Sequence, residues 1–225
     1  MIRTGLAQTK ATAGDVTVKE AIEAGDAAAL RHLLSEDPSL ANALLRWGKD
    51  DSLRTHPLHY VSDMLFQGVL AKGLELPLLD ALIEAGADVD FQPGAKSDTP
   101  LIGAASLGAE EAGLRLLAAG ARPELRGIFG ETALHWAAIL GEDRLAAGLI
   151  GGSDLELRDT QYNSPPLGWA IHGRYNSPSG NVGRQVEVAA LLVAAKAKVD
   201  PAWLESPQVR ADTQMLAALR VNREE

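Results

Sequence analysis

The feature that most constrains the fold is a segment that recurs along the chain. The segments TPLIGAASLG, TALHWAAILG and PPLGWAIHG place Leu101, Leu134 and Leu167 at equivalent positions, 33 residues apart. HPLHYVSDM places Leu58 there as well, 43 residues before Leu101. Self-similarity with a period of about 20 to 50 residues indicates one small structural unit copied along the chain. One such unit leaves an apolar face open to water, so we expect neighbouring units to stack and form the core together.

Each recurring segment is followed by a second apolar stretch that predicts another helix. Helical periodicity gives each of these helices a leucine on the buried face, namely Leu82, Leu116, Leu149 and Leu192. Gly86, Gly120 and Gly152 follow, where the end of a helix requires a left-handed residue. In the last unit Lys196 takes this place, so we expect either a strained cap or a different turn there.

The motifs THPLH, TPLIGAA, TALHWAA, EAGADVD and GSDLE together resemble the ankyrin repeat. The resemblance covers about residues 55–200, and the segment 16–43 is similar to a divergent first repeat. It implies an all-α fold, an ankyrin-repeat solenoid of five stacked antiparallel helix pairs joined by β-hairpin-like finger loops. It also implies that the chain recognises another protein.

The same resemblance suggests how the chain is divided. Residues 1–14 are expected to be a flexible N-terminal segment, 15–206 the repeat domain, and 207–225 a capping helix and tail that cover the last repeat. Insertions lie near 65–75 and 174–185. The first is apolar enough to predict an extended helix packed on its own unit. The second is rich in Gly, Ser, Asn and Pro and predicts a solvated loop, either neutral or in contact with a partner.

Four segments that we call the finger loops link successive units: 46–55, 91–98, 125–131 and 157–164. Each contains an aromatic residue, although aromatic residues make up only 4% of the chain; these are Trp47, Phe91, Phe129 and Tyr162. Aromatic residues are common anchors of protein interfaces, so we expect these rings to bind a partner. Arg126 and Arg158 would add polar contacts at the rim of the interface. The alternative is that some of the rings pack neighbouring loops together.

A second hypothesis is a small-molecule or enzymatic site beside the second insertion. Trp136, Trp169, His172 and Tyr175 would line an aromatic pocket there, with inter-repeat packing as the alternative explanation of these residues. His59 and His135 stand in the TPLH position of the family, and the resemblance implies a structural imidazole there that binds backbone. A third hypothesis is self-association through the second insertion or the C-terminal helix.

Composition and missing motifs exclude several other functions. The net charge of −9 argues against nucleic-acid binding, which requires Lys and Arg to neutralise phosphates. No run of about 18 apolar residues predicts a membrane span, and no apolar stretch near the N-terminus predicts a secretory signal. With no cysteine and no phosphate-binding, nucleophile-elbow or zinc-protease motif, we expect no metal, no cofactor and no catalysis. The sequence therefore favours a monomeric cytoplasmic protein that is not an enzyme.

Overall fold

The computed structural model describes residues 16–94, 97–176 and 184–220, which are mostly helical. Within these ranges the α-helices are α1 (Val18–Ala24), α2 (Ala27–Glu36), α3 (Pro57–Phe66), α4 (Glu75–Glu84), α5 (Pro100–Ser106), α6 (Glu110–Ala118), α7 (Ala133–Leu140), α8 (Asp143–Ile150), α9 (Pro166–Asn176), α10 (Gln185–Ala194), α11 (Pro201–Glu205), α12 (Pro207–Ala211) and α13 (Thr213–Ala218). Two short strands, β1 (Leu45–Trp47) and β2 (Leu53–Thr55), pair antiparallel, with Arg46 opposite Arg54.

Helix starts follow from local chemistry. Thr99 precedes α5, and its hydroxyl accepts a hydrogen bond from the backbone N–H of Ile102 (3.2 Å). Pro100 then occupies the first turn, where its missing N–H costs nothing and its fixed φ suits the helix. His56 has the same place before α3, and its Nδ1 accepts from the N–H of Leu58 (3.3 Å). These caps fix where each helix leaves the preceding loop.

In the described part of the chain, the first ten helices form five consecutive pairs. The first helix of each pair packs against the first helix of the next pair, and the second helices pack in the same way, from α1 and α2 through α9 and α10. Leu58, Leu101 and Leu134 are at most 1% exposed. The leucines predicted for the second helices, Leu82, Leu116, Leu149 and Leu192, are fully buried. The core therefore lies between two layers of helices, and every pair contributes to it.

The ends of the second helices differ from one another. Gly86 and Gly120 have φ of +87° and +92°, as predicted, and Lys196 adopts a left-handed φ of +74° although it is not glycine. The prediction for Gly152 is wrong, since it is not among the residues with positive φ. Its N–H instead closes a right-handed turn onto the carbonyl of Leu149 (3.1 Å). A glycine is needed there because a Cβ would come within 2.5 Å of the Pro123 ring.

The first insertion does not form the predicted extended helix. α3 ends at Phe66, and turns fill the chain up to α4, with Gly68 and Gly73 at φ of +72° and +95°. Leu70 is buried, but Phe66 and Val69 are exposed. The left-handed glycines lie in these turns, so the insertion does not continue as a helix, and of its apolar side chains Leu65 packs partly buried against the core beside the buried Leu70. Most of the second insertion, residues 177–183, lies outside the described residues, as does the predicted flexible segment 1–14.

The segment 207–220 forms two short helices, α12 and α13, where one helix was predicted, and the short helix α11 precedes them. Ser206 and Asp212 separate the three helices because each caps the following one: the Ser206 hydroxyl accepts from Val209 N–H (3.2 Å), and the Asp212 carboxylate accepts from Met215 N–H (3.0 Å). α13 packs on α10. Val209, Met215 and Leu219 are fully buried, so this segment covers the apolar face of the last helix pair.

Candidate binding surface and cavity

The first two finger loops turn their aromatic rings toward the body of the protein. Trp47 on β1 is partly buried and packs edge-to-face on Tyr60, with ring centroids 5.7 Å apart. Phe91 stacks on His56 at 4.5 Å with an interplanar angle of 17°. Both rings therefore take part in packing neighbouring segments together, which was the alternative that the sequence left open.

The third and fourth finger loops hold their apolar side chains in solvent. Phe129 is 41% exposed and Tyr162 is 66% exposed. Ile128, which the sequence analysis did not single out, is 53% exposed beside Phe129. The N–H and the hydroxyl of Thr160 both donate to the carbonyl of Phe129 (2.7 Å each), so these two loops are joined. We call Ile128, Phe129 and Tyr162 the loop patch.

The two predicted arginines are exposed, and their side chains form hydrogen bonds to the backbone of these loops. Arg126 donates from Nε to the carbonyl of Gly130 (2.7 Å) and from a terminal nitrogen to the carbonyl of Arg158 (2.9 Å). Arg158 donates to the carbonyl of Asn163 (2.6 Å). Their guanidinium groups therefore hold the backbone of the third and fourth loops, a role that the sequence analysis did not foresee.

Asp159 fixes the fourth loop, and the sequence analysis missed it. Its carboxylate accepts from the N–H groups of Gln161 (2.8 Å), Tyr162 (2.6 Å) and Ser164 (3.0 Å), and from the indole N–H of Trp169 (3.1 Å). Burial raises the pKa of Asp159, but these hydrogen bonds outweigh burial and lower the pKa overall. An ionised Asp159 thus ties the loop to helix α9.

The histidines of the first helices bind backbone in the neighbouring loops. His59 Nε2 lies 3.1 Å from the carbonyl of Asp98, and His135 Nε2 lies 3.1 Å from the carbonyl of Leu157. Burial lowers the pKa of each to about 4. Neutral imidazoles engaged in this way hold the loops in place and are not positioned as free acids or bases.

An open cavity lies beside the residues of the predicted aromatic pocket, but its walls differ from the prediction. Trp136 and Trp169 pack edge-to-face, with centroids 5.1 Å apart at 84°. The open cavity lies beside them, and Trp136 does not line it. Trp169, His172 and Tyr175 do, together with two residues that the sequence analysis did not assign to a pocket, Tyr162 and Trp203. Trp203 was missed because it follows the last repeat unit, where no periodicity indicated its position.

Other kinds of site are not found in the described ranges. No group of three or more His, Asp or Glu side chains in residues 16–94, 97–176 and 184–220 is arranged to hold a metal ion. No helix of the same ranges is long and apolar enough to cross a membrane. The loop patch and the aromatic cavity are therefore the candidate sites on which the functional argument depends.

Comparison with known proteins gives no identification. A scan against models of protein families finds no match, and a search of curated proteins finds none similar to this chain.

Proposed function

We propose that the chain is an ankyrin-type repeat solenoid that binds another protein through its loops and catalyses no reaction. The spacing of 33 residues and the motifs quoted above support the family, and the layered packing of helix pairs is compatible with it. Repeat arrays of this kind present extended surfaces built from equivalent loops.

The loop patch is the observation that carries the binding role. Three large apolar side chains stand exposed on two adjacent loops, where water contact is unfavourable until a partner covers them. Tyrosine and phenylalanine in such positions are frequent interface anchors, each contributing about 2 kcal/mol or more when central.

The loops that present the patch are held rigid before any partner arrives. Arg126 and Asp159 together form six hydrogen bonds, five with the backbone of the third and fourth loops and one with the indole of Trp169 on α9. A surface that is already ordered loses little conformational entropy on docking, so a small patch gives useful affinity. The patch would form the centre of the interface, with polar loop residues at its rim.

The test is partner capture by the full chain and by variants, using quantitative mass spectrometry of a lysate. Phe129→Ala with Tyr162→Ala should weaken binding of the captured protein by about 100-fold or more. Phe66→Ala is the matched control, because Phe66 is exposed but lies in the turn after α3, outside the finger loops.

Substitutions at exposed positions should change stability by about 0.5 kcal/mol or less, so thermal melts verify folding. Capture that persists in the double variant, or that Phe66→Ala reduces equally, would rule out the loop patch as the binding site.

A further inference from the structure

A cavity of about 540 Å³ opens between helix α9 and the C-terminal helices α11 and α12. Its walls come from α7, the fourth finger loop, α9 and the segment 203–208. Binding sites for small molecules usually enclose about 300 to 1,000 Å³ and combine apolar walls with a few polar groups. The cavity has the size of such a site.

Aromatic rings are concentrated in this cavity. Tyr162, Trp169, Tyr175 and Trp203 line it, in a chain with four Trp, three Tyr and three Phe. Trp169 is only 5% exposed, its indole N–H is held by Asp159, and Tyr162 packs edge-to-face against it at 6.1 Å. Trp169 is therefore held in place, and a planar ring in the cavity would meet the more exposed rings of Tyr162 and Trp203 beside it.

The described residues that line the cavity include no Asp, Glu, Lys or Arg. The polar side chains on its wall, besides the tyrosines and tryptophans, are Ser164, His172, Asn176, Ser206 and Gln208. The nearby Asp212 carboxylate is already paired with Arg174 at 2.8 Å. A charged ligand group would lose water there without gaining an ion pair, which is strongly unfavourable.

Donors for a ligand come from Ser164 and Gln208, which line the cavity and whose side chains offer an O–H and an N–H. Tyr175 contributes its ring to the wall, while its hydroxyl oxygen is buried beside the Asp212 carboxylate. Burial and then Asp212 raise the pKa of Tyr175, so the hydroxyl keeps its proton at neutral pH. An acceptor atom on a ligand would therefore bind to Ser164 or Gln208.

We infer that the cavity binds an uncharged small molecule that carries an aromatic ring and a hydrogen-bond acceptor. This inference does not rest on the proposed protein-binding role, although Tyr162 belongs to both the cavity and the loop patch.

The experiment compares three probes that share one ring and differ in charge: 2-naphthamide, 2-naphthoate and 2-naphthylmethylammonium. Binding to the full chain is measured by ligand-detected NMR titration. The neutral amide should bind with a dissociation constant of about 1 mM, as expected for a ligand of this size. Each ion should bind at least about tenfold more weakly, because it finds no opposite charge.

Two variants locate the bound probe. Gln208→Trp places a large side chain at an exposed position on the cavity rim and should abolish amide binding. Ala217→Trp, at an exposed position of α13 outside the cavity, is the matched control and should bind normally.

Three results would overturn the inference. In the first, the amide shows no binding at about 5 mM, a concentration well above the expected dissociation constant. In the second, either ion binds as tightly as the amide, and in the third, the amide still binds to Gln208→Trp. Thermal melts of all variants confirm that each remains folded.

Discussion

Acidification should destabilise the fold through His135, and one substitution isolates the effect. The imidazole is fully buried and bridges two segments: Nδ1 accepts from the N–H of Thr132 (3.1 Å), so Nε2 carries the proton and donates to the carbonyl of Leu157 (3.1 Å). Burial lowers the pKa of His135 to about 4. The folded protein thus holds this ring neutral over a pH range in which the unfolded chain protonates it.

The sign and size of the effect follow from the two pKa values. A histidine in an unfolded chain has a pKa near 6.5. Between about pH 6.5 and pH 4 the unfolded state binds more protons than the folded state, so the free energy of unfolding falls as the pH is lowered through this window. From pH 7 to pH 5 the loss due to His135 is about 2 kcal/mol.

The assay is urea denaturation followed by circular dichroism at pH 7 and at pH 5. His135→Gln retains an acceptor and a donor but does not titrate. At pH 7 the variant should be less stable than the natural chain by about 1 kcal/mol, because the edge contact of the imidazole with Trp169 is lost. At pH 5 this deficit should vanish or reverse, since only the natural chain has lost the contribution of about 2 kcal/mol.

The difference between the two chains is the quantity to measure, because other buried groups also titrate. His32→Gln is the control, because the His32 side chain is 73% exposed and its contact with Glu36 lies within helix α2. If His135→Gln and the natural chain lose the same free energy from pH 7 to pH 5, the assignment of a buried neutral imidazole is refuted.

Three further predictions concern stability. Lys196→Gly should raise the free energy of unfolding by about 1 kcal/mol, because the left-handed φ of +74° is unfavourable for lysine. The melting temperature should rise by about 2 to 4 °C, and the control Lys198→Gly should give no such rise. Burial and then Glu110 raise the pKa of Glu142 to about 8, above its ordinary value of 4.5. The free energy of unfolding of the natural chain should therefore fall by about 2 kcal/mol between pH 6 and pH 8, because the folded state holds the proton more tightly than the unfolded state does. Urea titrations of Glu142→Gln should show none of this loss. Arg126→Ala removes hydrogen bonds to two loop carbonyls and should reduce stability by about 1 kcal/mol in the same assay; an unchanged midpoint would show that these bonds do not brace the loops.

The helix pairs were predictable because their signals are local and repeated. Leu101 and Leu134 recur in a motif that already contains the N-cap and the apolar face, so one unit suffices to recognise the others. Predictions failed where a single contact with a neighbouring unit decides the outcome. Gly152 has the sequence of a left-handed cap, but its requirement for glycine comes from the ring of Pro123, which no local pattern reveals.

The candidate site was only partly predictable for a related reason. Aromatic residues were recognised in each finger loop, but whether a ring faces solvent depends on its neighbours in space. His56 is available to stack with Phe91, whereas Phe129 stays exposed while the backbone of its loop is tied to the fourth loop through Thr160. The same limit explains Trp203, which joins the cavity only because the C-terminal helices fold back over α9.

The two proposed sites meet at Tyr162, and this overlap determines how they must be tested. Its side chain is 66% exposed as part of the loop patch and also lines the cavity beside Trp169. Tyr162→Ala alone would therefore disturb both sites and distinguish neither. Phe129→Ala changes only the loop patch, and Gln208→Trp changes only the cavity rim.

If a ligand in the cavity shifts the Tyr162 ring, linkage requires that ligand and protein partner alter each other's affinity by the same factor. If Tyr162→Ala still binds both ligands but neither changes the other's affinity, this ring is the connection between the two sites.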